Sequence, residues 1–287
     1  MIQHEVDIGE ILMHHTADAY TLDFSPFFVL DYGKVLPDLH VAGMTLNLTP
    51  SKHAIYMAFA ALMVFLTMWT AGRQLERQRA GERAPRGFAN AVESLVLWVR
   101  NDVAIANIGH HGAQFAPYIM SLFFFLLYCN LLGLLPWGAS PTANLAVTGG
   151  MAILSLFVIE LSGIVKLGWR GYMKTIFPPA PGMGGAGAAA ISIAMAPIEI
   201  IGKLVKPFAL CVRLFGNMTA GHFVILALFG LIFLFGGVHT WRWAIGAGSA
   251  TLVLGVMMLE LIVAFVQAYV FTLITAVLIG VIVQEHH

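Results

Sequence analysis

A single permanently charged side chain interrupts a long apolar stretch of this 287-residue chain. Arg213 lies between Phe208 and Gly236, and no other side chain in that segment carries a permanent charge. Placing an arginine at the centre of a bilayer costs roughly 2.5–3.5 kcal/mol on insertion scales, so such a residue usually faces protein or water and serves a function. Because Lys206 lies only seven residues earlier, the alternative is that Arg213 snorkels to a lipid headgroup.

Two further polar side chains accompany Arg213 along the same predicted helix. Asn217 follows one turn later on the same face, and Glu199 precedes Arg213 by about four turns near that face. Polar groups that share one side of an apolar helix are typical of a pathway for ions. The sequence therefore predicts a lined passage along this helix.

A second set of polar residues lies on the last apolar stretch of the chain. Glu260 and Gln267 are seven residues apart and share a helix face. Folding the two long segments about residue 240 brings Arg213 level with Gln267, and His222 level with Glu260. A carboxylate beside a histidine inside a membrane is typical of a proton relay. A buried structural pair that holds the hairpin together is the alternative.

The composition places these residues in a membrane. Hydrophobic residues make up 59% of the chain and charged residues only 10%, whereas a soluble domain carries about 25% charged residues. The net charge is zero, which argues against nucleic acid as a partner. Cys129 and Cys211 fall inside apolar runs, which predicts two buried thiols and no disulfide.

The apolar pattern predicts an all-α integral membrane protein with five membrane-crossing segments. Residues 1–52 form an extracytoplasmic segment, and residues 53–287 form the membrane domain. The spacing of apolar residues in 88–108 predicts an amphipathic helix on the membrane surface. The last two segments, which span about 191–283, are each about twice as long as the hydrocarbon thickness. They are predicted to pair as an inclined hairpin, unless the first of them breaks near Pro197 or Pro207. The five predicted crossings are 53–71, 115–135, 143–167, 191–235 and 243–283.

The basic residues predict the orientation. With the N-terminus outside, nine lysines and arginines are cytoplasmic, three are outside and three belong to the fourth crossing; nine against three obeys the positive-inside rule. The C-terminus is then cytoplasmic. Two polar residues of the third crossing are possible channel-lining groups. Asn144 opens this crossing on the outer side, while Glu160 is either half-buried and partnered near the interface or part of an ion path.

The run from Lys206 to His222, K-P-F-A-L-C-V-R-L-F-G-N-M-T-A-G-H, is preceded by Pro197-Ile198-Glu199. It closely resembles subunit a of the rotary F-type ATP synthase, the membrane stator beside the c-ring. The resemblance covers about residues 88–287. It implies a subunit that is not catalytic alone, lies in the bacterial cytoplasmic membrane and needs no cofactor or metal. Its implied partners are the lipid bilayer and three kinds of protein: the c-ring proteolipids, the peripheral-stalk b subunits and other ATP synthase subunits.

The resemblance also implies residue roles. Arg213 corresponds to the stator arginine between two offset half-channels. His222 and Glu260 correspond to the outer half-channel, in the order found in mitochondrial relatives and reversed from many bacterial ones. Asn217 and Gln267 correspond to polar channel positions, and Glu199 to an acidic position towards the cytoplasmic exit.

Two other classes of function compete with this interpretation. A self-contained secondary proton or cation transporter usually has inverted repeats, and no such symmetry is apparent. An intramembrane metalloenzyme would need more ligands than His222 and Glu260, and the sequence contains no H-E-x-x-H motif.

Overall fold

The structure is a computed structural model that places most of the chain. It describes residues 21–24, 28–31, 33, 39–41, 44–46, 49–79, 88–135, 138, 140–178, 186–235 and 242–284. The chain divides into two compact units. The first unit comprises residues 1–63, 126–144 and 214–266. The second unit comprises residues 64–125, 145–213 and 267–287.

Two short antiparallel hairpins lie in the N-terminal segment. Strand β1 (Thr21–Phe24) pairs with β2 (Phe28–Asp31), and β3 (Leu39–Val41) pairs with β4 (Met44–Leu46). Aromatic and β-branched residues on either side of a short connection favour this pairing. The all-α prediction holds for the described residues from Lys52 onward and did not include these two hairpins.

The rest of the described chain is helical. Short π and 3-10 turns, at Val99–Ile105, Gly109–His111 and Pro141–Ala143, connect or extend the α-helices. The α-helices are α1 (Lys52–Arg79), α2 (Phe88–Trp98), α3 (Ala106–Ile108), α4 (Gly112–Gly133), α5 (Leu145–Ile176), α6 (Ala186–Phe235) and α7 (Arg242–Gln284).

Several helices have the length and composition of membrane spans. Among the described residues, four stretches qualify, namely Lys52–Arg73, Asn90–Gly133, Leu145–Ile176 and Gly246–Val283. Large apolar side chains on the long helices are exposed, as expected for surfaces in contact with lipid or protein: Phe65, Ile153, Val165, Leu254 and Ile262. The molecule is therefore a multi-pass membrane protein. Helix α6, which carries four charged residues, is not among the four spans, so the crossing over 191–235 stays a prediction.

The stretch from Asn90 to Gly133 has the length and composition of a membrane span but is not one straight helix. A π-helix occupies Val99–Ile105, and the Asn107 side chain donates to the Val103 carbonyl at 2.8 Å. Gly109 has φ 77° and ψ −142°, which interrupts the helix before α4 begins at Gly112. The predicted surface helix over 88–108 thus ends where the backbone breaks. Its orientation in the membrane stays a prediction.

Helices α6 and α7 are long. Helix α6 has 50 residues and α7 has 43, or about 75 and 65 Å at 1.5 Å per residue. Helix α6 continues through both Pro197 and Pro207. Membrane helices often tolerate proline, because neighbouring groups satisfy the backbone carbonyls that it leaves unpaired. The alternative of a break at either proline is therefore wrong. The predicted turn near residue 240 lies outside the described residues.

Helix α5 has a sharp kink. Gly168 adopts φ 66° and ψ 168°, a conformation outside the helical region, one residue after the predicted end of the third crossing. The chain turns back after this kink. A Cβ added at Gly163 would lie only 3.3 Å from the Tyr172 ring. Nine residues of straight helix would separate these positions by about 13 Å.

The core of the second unit joins the segment around the π-helix to α4 and the end of α7. Trp98 stacks on Tyr269 at 5.3 Å between ring centroids and meets Phe123 edge-on at 6.2 Å. A Cβ at Gly280 would overlap the Asn107 carbonyl, so α7 lies directly on this segment. Fully buried apolar side chains fill the interface: Val99, Val103, Ile108, Ile119, Phe123, Phe271 and Ile279.

Candidate functional site

The first unit contains a buried carboxylate in contact with a glycine. The Glu260 side chain on α7 is buried, and a Cβ added at Gly221 on α6 would overlap its carboxyl group. The carboxylate thus lies directly on the α6 backbone at Gly221, one residue before the half-buried His222. The sequence register had paired Glu260 with His222.

Helix α6 in the first unit presents small and polar residues outward. Leu214 and Met218 are buried, whereas Gly216, Asn217 and Ala220 are exposed. Small residues allow another helix to approach closely. This part of α6 therefore combines a packed face with an open one.

In the second unit, Arg213 lies on the open side of α6. Its side chain is exposed, as is Ala209 one turn earlier, whereas Leu210 and Cys211 are buried. Within the described part of the chain, the Arg213 guanidinium has no hydrogen bond or ion pair. Gln267, also in the second unit, is only 3% exposed.

The remaining predicted residues lie in different surroundings. Glu199 is exposed on α6, and Asn144 is half-buried directly after the 3-10 turn Pro141–Ala143. Glu160 on α5 is half-buried and lies 3.6 Å from the Lys203 ammonium group. The Tyr172 hydroxyl also donates to the Glu160 carboxylate.

A buried polar network in the first unit was not identified from the sequence. Asn130 is fully buried in α4, accepts a hydrogen bond from the Thr142 hydroxyl at 2.7 Å and donates to the Ala264 carbonyl at 3.1 Å. The Ser140 and Thr142 hydroxyl groups form a further hydrogen bond with each other at 2.8 Å. The network attaches the α4–α5 connection to α7 one turn after Glu260. The sequence signal that could have indicated this network is a single asparagine within the apolar run of α4.

Metal-ligating side chains are dispersed in the part of the chain that the structure describes. No group of three His, Cys, Asp or Glu residues that could hold a metal ion is found among those residues. Cys129 and Cys211 are buried free thiols.

Fold and site together define a class of protein: a multi-pass helical membrane protein with ionisable and polar side chains on two very long helices. The sequence model of the family "ATP synthase A chain" matches residues 54–280, and the chain belongs to this family. Among its relatives is "ATP synthase subunit a 2" of Chlorobaculum tepidum, 41% identical over 95% of this chain and 72% of the relative.

Other relatives agree. "ATP synthase subunit a" of Chloroherpeton thalassium is 40% identical over 96% of this chain and 77% of its own length. "ATP synthase subunit a" of Anaeromyxobacter dehalogenans is 38% identical over 99% of this chain and 72% of its own. The resemblance predicted from the Arg213 motif is confirmed. The chain is a non-catalytic membrane subunit with a role in ATP synthesis and proton transport.

Proposed function

We propose that this subunit is the proton-conducting stator of the ATP synthase membrane sector. Two offset half-channels lead protons to the carboxylates of the c-ring, and proton flow is thereby coupled to ring rotation. The observation that carries the proposal is the exposed Arg213 on an apolar helix in a member of this family. An arginine that is exposed on a membrane helix usually faces another protein or water, and in this proposal it faces the c-ring.

Arg213 separates the two half-channels. A guanidinium stays protonated at any working pH and has five donors but no acceptor. It attracts a ring carboxylate into its ionised form without relaying a proton itself. A direct leak between the half-channels is thereby blocked, and protons cross only when the ring turns. The exposed Ala209 next to Arg213 on α6 leaves room for a ring helix to approach.

His222 and Glu260 form the proton-accepting part of the outer half-channel. Histidine titrates near neutral pH, and a carboxylate buried beside α6 supplies a second proton-binding group. Asn217, Gln267 and the outer-side Asn144 supply polar contacts for water along this path. Glu199 serves the cytoplasmic exit.

The remaining parts of the arrangement follow from the same proposal. Helices α6 and α7 pair as an inclined hairpin beside the ring, and α6 supplies the crossing over 191–235. The N-terminus lies outside and the C-terminus in the cytoplasm of a bacterial inner membrane. The partners are the c-ring, the peripheral-stalk b subunits and other ATP synthase subunits. The excess of basic residues on the cytoplasmic side supports this orientation.

The test is ATP-driven proton pumping in membrane vesicles that contain the assembled complex. We expect Arg213→Ala to abolish pumping. The Arg213→Lys variant should leak protons or stall, because a lysine that the assembled c-ring shields from water can lose its proton. The matched control is Arg170→Ala, which removes an exposed arginine from the segment after the α5 kink and should leave pumping near normal. Near-normal pumping by Arg213→Ala, or proton conduction by this subunit reconstituted alone, would refute the proposal.

A further inference from the structure

A cluster of charged and polar side chains in the second unit contains Glu160, for which the sequence left open a partnered position near the interface or a place on an ion path. Its members are Glu160 on α5, Tyr172 and Thr175 after the α5 kink, and Lys203 on α6; together they are named the polar clamp. Lys203 lies 3.6 Å from the Glu160 carboxylate, donates to the Thr175 hydroxyl at 3.2 Å and sits 4.8 Å from the centre of the Tyr172 ring. The Tyr172 hydroxyl donates to Glu160.

The clamp is a shielded ion pair. The exposed fractions of the Lys203 and Glu160 side chains are 16% and 21%. An ion pair withdrawn from water and supplied with further hydrogen bonds resists separation, because removal of one partner leaves the other charge uncompensated. Gly163, one turn after Glu160, lets Tyr172 and Ile282 of α7 pack closely behind the pair.

A second contact joins the same two helices closer to Arg213. The Cys211 thiol on α6 donates to the Thr148 hydroxyl on α5 at 3.4 Å. A Cβ at Gly149 would lie 3.9 Å from the same sulfur. The contacts run from Thr148 to Glu160 along α5 and from Cys211 back to Lys203 along α6, so the two helices are antiparallel here.

The two contacts together determine where Arg213 points. Residues two apart on a helix differ by about 200° in direction. Because Cys211 contacts α5, Arg213 must lie on the side of α6 that faces away from α5. Its side chain is exposed there. A single contact would let α6 rotate about its axis, whereas a second one eight residues earlier, or about 12 Å along the helix, prevents this.

We propose that the polar clamp is a positioning device that fixes the rotation of α6 and thereby aims the Arg213 side chain away from α5. Glu160 and Lys203 are positioning residues in this account. Glu160 is accordingly a structural partner of Lys203 and not a group on the ion path. The importance of this orientation rests on the stator function proposed above, but the geometry of the clamp does not.

The native cysteines supply the test. In the purified complex, modification of Cys211 and Cys129 by N-ethylmaleimide is followed over time by mass spectrometry of their peptides. Both thiols are buried, and each lies in a different unit. We expect Lys203→Met to raise the modification rate of Cys211 about tenfold, which corresponds to about 1.4 kcal/mol, and to leave the rate of Cys129 unchanged.

Matched variants separate the clamp from general loosening. Lys206→Met removes an exposed lysine one turn later on the same helix and should change neither rate. Lys203→Arg and the exchange Glu160→Lys with Lys203→Glu keep a pair and should restore most of the protection of Cys211. An unchanged Cys211 rate in Lys203→Met, or an equal rise for both cysteines, would overturn the proposal.

The result of the cysteine-modification experiment does not depend on proton transport, so the clamp and the stator function can fail separately. If the clamp variants expose Cys211 while Arg213→Ala pumps normally, the positioning account stands and the stator function fails. If Arg213→Ala abolishes pumping and Cys211 stays protected in Lys203→Met, the stator function stands and the clamp fails.

Discussion

Addition of one methyl group at Gly221 should slow proton transport strongly with little loss of stability. The new Cβ would occupy space now taken by the Glu260 carboxyl group, so the carboxylate must move. A displacement of about 1 Å of a group that acts in catalysis can cost on the order of 100-fold in rate. We expect ATP-driven pumping by Gly221→Ala to fall by about 10- to 100-fold on the same reasoning.

The stability of the variant should change much less. Overpacking costs about 1–3 kcal/mol, and a flexible glutamate side chain places this case at the lower end. Alanine in place of glycine favours the helix by about 0.8–1 kcal/mol. These two terms nearly cancel, so thermal denaturation of the purified complex should be close to that of the unmodified protein.

Two variants complete this experiment. Glu260→Asp shortens the side chain by one methylene group, so its combination with Gly221→Ala should pump better than Gly221→Ala alone. Gly202→Ala is the matched control, since a Cβ at this α6 position meets nothing within 4 Å. Normal pumping by Gly221→Ala would refute the idea that the position of the Glu260 carboxylate controls transport.

Two further predictions concern the first unit. The double change His222→Glu with Glu260→His should retain more pumping than either single change, because a titratable pair is preserved; a double variant worse than both would contradict the relay. Asn130→Ala removes buried hydrogen bonds to Thr142 and Ala264 and should lower the stability by about 1–3 kcal/mol in thermal denaturation of the complex. Thr251→Ala, which removes only an exposed bond within α7, should be close to neutral, and equal effects would contradict the role of the network.

Features that depend on local pattern were predicted well from the sequence. The last helix was expected over 243–283 and runs from Arg242 to Gln284. The third crossing was expected to end at Leu167, one residue before the Gly168 kink. Apolar periodicity and glycine act through neighbouring residues, so a single sequence suffices to find them.

Features that depend on distant contacts were not predictable in this way. Glu160 and Lys203 are 43 residues apart in the chain, and only folding identifies them as partners. In the sequence Asn130 is one polar residue in an apolar run, and only the structure shows that it bonds Thr142. Continuity of α6 through Pro197 and Pro207 also depends on its surroundings, since proline alone removes a backbone donor and favours a kink.

The orientation of Arg213 in the assembled ATP synthase tests the central claim most directly. A structure of the intact complex in lipid would give the distance between the Arg213 guanidinium and the nearest carboxylate of the c-ring. We expect the guanidinium to face a ring carboxylate at about 4–6 Å, close enough to favour its ionised form. A guanidinium that points into lipid or bulk water, with no ring carboxylate nearby, would contradict the account.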